Sequence, residues 1–174
     1  MNKNTDKYWI ENSTILSWKT KPKKTYKKLK NNYFKIFPGA KINAYKNIIG
    51  KNVKSYPNKK GIIVIKKNKE ISSYDYSEID GLVNFLSSKL TSKLKQKTFN
   101  SKILIHASSG IESAISMLSC LKLGIFFCVI YKDLEAEAIN KRIKLFKPHL
   151  ILSTDRNKIF KKNFKKKDIL LFEN

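Results

Sequence analysis

Between Ser101 and Asp155 three short apolar runs, Ile103 to Ala107, Ile125 to Ile130 and Leu150 to Leu152, alternate with two segments of helical spacing. That order is the signature of βαβ units, because a chain that returns through a helix lays its next strand parallel to the last. The expected fold class is α/β, with a mainly parallel sheet, right-handed crossovers and flanking helices. The first crossover is expected over Ser109 to Leu123, with Ser109 as its cap and Glu112 at the capping-box position. Ile111, Ala114, Ile115, Leu118 and Leu121 share one of its faces, and Gly124 is placed to end it. The second is expected over Leu134 to Phe146, capped by Asp133. Glu135 and Glu137 stand in its first turn, Lys141, Arg142, Lys144 and Lys147 lie toward its end, and Pro148 stops it.

Around this centre the chain is less regular. Asp6 to Asn32 is polar and lysine-rich, anchored by Tyr8, Trp9, Trp18 and Tyr26, and reads as a largely irregular arm with one helical stretch, Lys7 to Ile15. Phe37-Pro38-Gly39 is a turn, after which Asn43 caps a helix whose Ile48, Ile49, Val53 and Tyr56 are expected to face inward, ended by Pro57. Gly61 to Lys66 and Ile71 to Tyr74 form a hairpin, and Asp75 with Glu78 opens a helix carrying Ile79, Leu82, Val83, Leu86 and Leu90. A last strand is expected at Ile169 to Phe172.

A chain of 174 residues holds one domain, or one domain with an extension. No apolar run approaches the roughly 18 residues that span a bilayer, and the start has no signal-peptide core, so a cytoplasmic protein without a membrane partner is expected. Cys120 and Cys128 read as small apolar side chains in a reducing compartment. The net charge of +24 brings nucleic acid to mind. Yet only Arg142 and Arg156 among the basic residues are not lysine, a bias of the kind an AT-rich genome encodes. Lysine also lacks the fork that reads guanine and phosphate, so any binding of nucleic acid should be non-specific.

Several motifs, in order, carry a family resemblance. E-S-A-I-S-M-L-S-C-L-K-L-G, then A-E-A-I-N-K-R-I and K-P-H-L-I-L-S-T-D, resemble P-E-A-x-x-A-M-L-A-x-x-R-x-G-A, A-x-x-L-x-x-R-I and K-P-K-x-x-x-T-x-D of the AMP-forming acyl-CoA synthetases of the acetyl-, propionyl- and acetoacetyl-CoA group. F-P-G-A-K-I-N-A-Y-K-N-I-I is similar to that group's F-P-G-A-K-L-N-Y-A-E-N-L-L, and Y-W-I-E-N-S-T-I-L-S-W-K-T-K-P resembles its opening. Ser108 and Ile111 stand where the family has prolines, and Lys132 and Asp133 replace small residues or glycine. The resemblance implies a partial adenylating-enzyme N-terminal domain: an arm over 1–42, then the first part of the AMP-binding domain over 43–174. It implies a ligase joining a short-chain carboxylic acid to CoA with ATP and magnesium, completed by the remainder of the synthetase chain or by a separate chain. The other reading is a basic protein that binds nucleic acid or an anionic surface on the same scaffold.

Adenylation needs backbone amides wrapped around phosphates, and such loops need glycine. The six glycines here never stand two close together, and the family's phosphate loop T-S-G-T-T-G-x-P-K has no counterpart. No catalytic or metal-ligating residue is therefore assigned, and the expected fragment or truncated gene product should be inactive alone. Ser108-Ser109-Gly110, after a strand and before a helix, reads as a plain cap ahead of an anion site. His106 reads as a satisfied structural residue. Arg156, Lys158, Lys161 and Lys162 follow the end of a parallel strand, where ligands gather in α/β sheets, and the resemblance makes them candidates for CoA phosphates.

Overall fold

The computed structural model describes residues 3–95, 98–155, 160 and 164–172. The alternating apolar runs become parallel strands, as their spacing demands. β7 (Lys102–His106), β8 (Phe126–Ile130), β9 (Leu150–Ser153) and β10 (Ile169–Leu171) form a sheet of order β10-β9-β7-β8. All its pairings are parallel, with His106 level with Ile130 on one side and Ser153 on the other. The crossovers are α4 (Ile111–Leu123) and α5 (Ala136–Phe146).

Alternation along β7 sorts two cores, since successive side chains of a strand leave by opposite faces. Ile103 and Ile105 pack with Leu150 and Leu152 under α4 and under α3 (Tyr76–Lys93). Leu104 joins Ile130, Ile151, Ile139 of α5 and Phe160 on the other face. Each fully buried isoleucine or leucine contributes about 1.5–3 kcal/mol, so this two-sided burial outweighs the helix caps in holding the sheet. α3 and α4 pack through small residues: Ser113, Ser116 and Ser119 of α4 are buried, and Ser119 Oγ donates to the Val83 carbonyl of α3 at 3.4 Å.

Two cap assignments are corrected. The N-cap of α4 is Gly110, in extended backbone at φ −176°, with no side-chain cap bond, while Ser109 is exposed. The N-cap falls one residue after the serine, so its hydroxyl is out of register with the first-turn amides. Likewise Glu135, not Asp133, precedes α5, and no side chain caps it. The C-terminal signals fall where expected: Gly124 sits at φ +69°, a conformation glycine adopts without strain, and α5 ends just before Pro148.

Before the sheet, β5 (Lys60–Ile65) and β6 (Ile71–Asp75) form the antiparallel hairpin. Asp75 and Glu78 make the full capping box on α3: Asp75 Oδ1 accepts from the Glu78 amide at 2.9 Å, and the Asp75 amide donates to Glu78 Oε2 at 2.7 Å. Gly61 lies against α3, where a Cβ would meet Ile79 Cδ1 at 2.9 Å. The helix after Asn43 opens as expected, with the Lys46 amide donating to Asn43 Oδ1 at 3.0 Å, but its inward face differs. Tyr45 and Ile49 are buried, whereas Ile48 and Tyr56 are 48% and 59% exposed. The turn over Lys46–Gly50 is wound as a π-helix before α2 (Lys51–Ser55). Its wider winding turns the 45/49/53 row toward α3 and rotates Ile48 out.

The arm carries α1 (Lys3–Asn12), then a 3₁₀ turn through Ile15. Beyond the one expected helix, it and the following residues also form two short antiparallel pairs: β1 (Trp18–Thr20) with β4 (Lys41–Ile42), and β2 (Tyr26–Lys28) with β3 (Phe34–Ile36). Lysine-rich strands lack the apolar alternation that marks a strand, which is why sequence alone does not find them. Asn47 clamps the arm: its Oδ1 accepts from the Ser17 amide at 2.7 Å and its Nδ2 donates to the Ser17 carbonyl at 3.1 Å.

Candidate functional site

In an open parallel sheet the strand carboxyl ends line the crevice where ligands bind. Here that rim is built from His106 to Gly110 after β7, Tyr131 to Asp133 after β8, and Ser153 to Asp155 after β9. Parallel register brings the ends together: the Thr154 amide donates to the His106 carbonyl at 3.2 Å, and the Ala107 amide to the Ile130 carbonyl at 3.3 Å.

His106 is the centre of the rim. It is completely buried on the Leu104 face, edge-on to Phe160 with centroids 4.8 Å apart. Its Nδ1 lies 3.0 Å from Ser153 Oγ and its Nε2 3.2 Å from the Lys132 carbonyl. A carbonyl only accepts, so the neutral ring carries its proton on Nε2, and the single Ser153 hydroxyl proton is donated to the Asp155 carbonyl, not to Nδ1. Ser153 Oγ also lies 2.7 Å from the Asp155 carbonyl and accepts from the Asp155 amide at 3.2 Å. The Asp155 carboxylate stands 3.6 Å from Nδ1 but is half-exposed. Burial therefore dominates and holds the imidazole below its ordinary pKa, with Asp155 opposing.

A buried histidine beside a serine and an aspartate invites comparison with a nucleophile triad, and the geometry answers it. Ser153 is itself fully buried and turned back onto its own loop, so no substrate carbonyl can reach its Oγ. The trio organises the rim. Sequence reasoning places nothing beside His106, because Ser153 is 47 residues away. The signal was nevertheless present, since two parallel strands that end in level register bring their last residues into contact.

At the Ser108-Ser109-Gly110 turn, Glu112 folds back so that its Oε2 lies 3.1 Å from where a Gly110 Cβ would stand. The chain's own carboxylate thus occupies the start of α4, which speaks against an anion site at this turn, although no serine caps the helix. Arg156, Lys158, Lys161 and Lys162 lie outside the described residues. Cys120 is buried, and burial pushes its thiol up to about 12. Both cysteines are free thiols. Among the described residues no three histidine, cysteine or acidic side chains converge as a metal site, and no helix is long and apolar enough to cross a membrane.

A separate cleft of about 330 Å³ opens between α3, the start of α4 and β10. Its walls are apolar, from Leu82, Phe85, Ile115 and Leu170, with Lys89 and Glu112 at the rim. Leu82, at helical spacing with the buried Ile79 and Leu86, is 40% exposed there, and Phe85 is 62% exposed.

The family model of the AMP-binding enzymes matches residues 50–172. The acetyl-coenzyme A synthetase of Leptospira biflexa is 29% identical over 156 residues, covering 86% of this chain and 23% of the relative. That of Helicobacter acinonychis is 25% identical over 159 residues, again covering 23% of its length. The fold is similar to acetoacetyl-CoA synthetase from Streptomyces lividans, with TM-score 0.76 and 14% identity over 86% of this chain and 23% of that one. It is also similar to a fatty acid AMP ligase from Legionella pneumophila, with TM-score 0.61 and 18% identity over 74% of this chain and 23% of that one. The chain thus spans about a fifth of the length of the curated relatives it matches. A match across the hairpin, α3 and the whole parallel sheet makes this chain a member of the AMP-binding enzyme family, related to an N-terminal portion of the acetyl- and acetoacetyl-CoA synthetase group.

Proposed function

We propose that the chain supplies the N-terminal portion of an AMP-forming short-chain acyl-CoA synthetase, in which acid, ATP and CoA become acyl-CoA, AMP and pyrophosphate. Residues 1–42 are the arm and residues 43–174 the first part of the AMP-binding domain. The observation that carries this reading is the family match running through every strand of the parallel sheet. The described residues do not fit ATP or magnesium: Glu112 occupies the start of α4, and Gly110 is the lone glycine of its turn. Phosphate and metal chemistry therefore belongs to the remainder of the synthetase, on the same chain or another, and CoA phosphates to the cationic run Arg156, Lys158, Lys161 and Lys162. We take the cytoplasm as the compartment and a short-chain carboxylic acid as the substrate.

Uncovered apolar surface supports the same reading. Monomeric proteins rarely leave large apolar patches open, yet the α3/α4/β10 cleft is lined by exposed Leu82 and Phe85, and β8 and β10 are edge strands among the described residues. A larger domain would cover both. Catalysis of adenylation depends on fixed donors that meet charge developing at phosphorus, and no such set is found among the described residues. Pyrophosphate release from the purified chain with ATP, magnesium and acetate, propionate or acetoacetate should stay at background. Turnover that survives removal of host synthetases would overturn the proposal.

A further inference from the structure

Glu11 and Glu70 bracket 58 residues that hold seventeen lysines, no arginine and no carboxylate, so this stretch carries 17 of the 24 net charges. A general bias toward lysine does not clear acids from one third of a chain, since eleven of the thirteen lie at or after Glu70. Inside the stretch the β2–β3 hairpin stands with its sides in solvent: Tyr33, Phe34 and Ile36 are 71%, 52% and 61% exposed. Its register sets Lys27 directly opposite Lys35, and Lys28 opposite Phe34.

Like charges directly opposite one another destabilise an antiparallel pair, and a two-stranded ribbon is marginal by itself. Among the described residues no ion pair reaches Lys27, Lys28 or Lys35. The hairpin is thus arranged against its own stability until an external anion lies across it. Alternation places Lys27, Lys35 and Tyr33 on one side, and Lys28, Phe34 and Ile36 on the other. Each side therefore pairs lysine charge with an exposed ring, and Phe34 is steadied by the edge of Tyr26 at 5.6 Å.

We propose that the β2–β3 hairpin is a docking site for single-stranded nucleic acid, its lysines neutralising backbone phosphates while Tyr33 and Phe34 offer ring faces to bases. Stacking tolerates any base, and lysine contacts position the backbone without reading sequence. A bilayer surface fits less well, because it would engage only the side that carries Phe34 and Ile36 and leave the most exposed ring, Tyr33, with Lys27 and Lys35 on the other.

The test is fluorescence anisotropy of the 174-residue chain with a short labelled oligothymidylate, an abasic strand of equal charge, and phosphatidylserine vesicles as competitor. The chain should bind the oligothymidylate at about 0.1 M salt and release it steeply as salt rises. Tyr33→Ala and Phe34→Ala should each weaken that binding about five-fold or more and leave abasic binding unchanged. Tyr33→Trp and Phe34→Trp should retain it, which separates lost stacking from a damaged hairpin. Lys27→Gln with Lys35→Gln should reduce the salt slope by about 1.4, as loss of two phosphate contacts on a single strand requires. Equal affinity for the abasic strand, alanine variants that bind like the parent, vesicles that outcompete the oligonucleotide, or no binding at about 0.1 M salt would each overturn the proposal.

Discussion

Replacing His106 by leucine tests whether burial or the Asp155 charge governs the rim. Leucine roughly fills the space, keeping the contact with Phe160, so the main loss is the hydrogen bond donated by Nε2. Ser153 Oγ is not orphaned, because the Asp155 carbonyl and amide both remain within reach, at 2.7 and 3.2 Å. The Lys132 carbonyl loses the ring donor at 3.2 Å. An acceptor left unmet in a part-buried site costs about 1–3 kcal/mol, and for a chain of this size each kcal/mol lowers the melting temperature by about 2–4 °C. The pH dependence is sharper. His106 is held below its ordinary 6.5, chiefly by burial, against the raising influence of Asp155 and Asp133. A depressed histidine contributes stability that is present above the unfolded-state pKa and is lost as pH falls through the folded one. Acidification below about 6.5 should therefore erode the parent through this group and spare H106L, narrowing their difference. Urea midpoints of both proteins from pH 8 to pH 5 provide the assay. A difference that widens on acidification would mean that an imidazolium paired with Asp155 holds the rim, which would refute the reasoning.

Other outcomes follow from burial alone. Ile105→Ala, at a completely buried position of the central strand, should cost about 2–5 kcal/mol in urea unfolding, whereas Ile63→Ala, at a position 63% exposed, should stay within about 0.5 kcal/mol. Gly124→Ala must hold a non-glycine residue at φ +69° and should lose about 1–2 kcal/mol, read as a lowered melting temperature. With its thiol pushed up to about 12, Cys120 should resist a thiol reagent at pH 8 until urea unfolds the chain, so that no more than one of the two cysteines reacts in the native state.

Legibility followed local physics. The strands Ile103 to Ala107, Ile125 to Ile130 and Leu150 to Leu152 and their helices were readable because each strand is a short continuous apolar run and each helix carries an apolar face, and the structure holds them within a residue or two. The Asp75–Glu78 box was readable because both partners sit three residues apart. Features that depend on winding or on distant contacts were not. The π turn at Lys46–Gly50 rotated Ile48 outward without any compositional mark, and a one-residue shift in the start of α4 removed Ser109 from its cap. The short strands of the lysine-rich arm have no apolar alternation to announce them. At the rim, His106 was visible as a residue while its partners were not, because only the level register of β7 and β9 supplies Ser153.

The central claim, that this chain builds the opening part of an acyl-CoA synthetase, is tested most directly by exchange. In a chimaera, the 156-residue segment of Leptospira biflexa acetyl-coenzyme A synthetase that matches this chain is replaced by the corresponding residues here. Acetate-dependent pyrophosphate release is then compared with that of the relative lacking the segment. The account predicts release clearly above the deleted relative. A chimaera that melts cooperatively yet releases no more pyrophosphate than the deletion would contradict it.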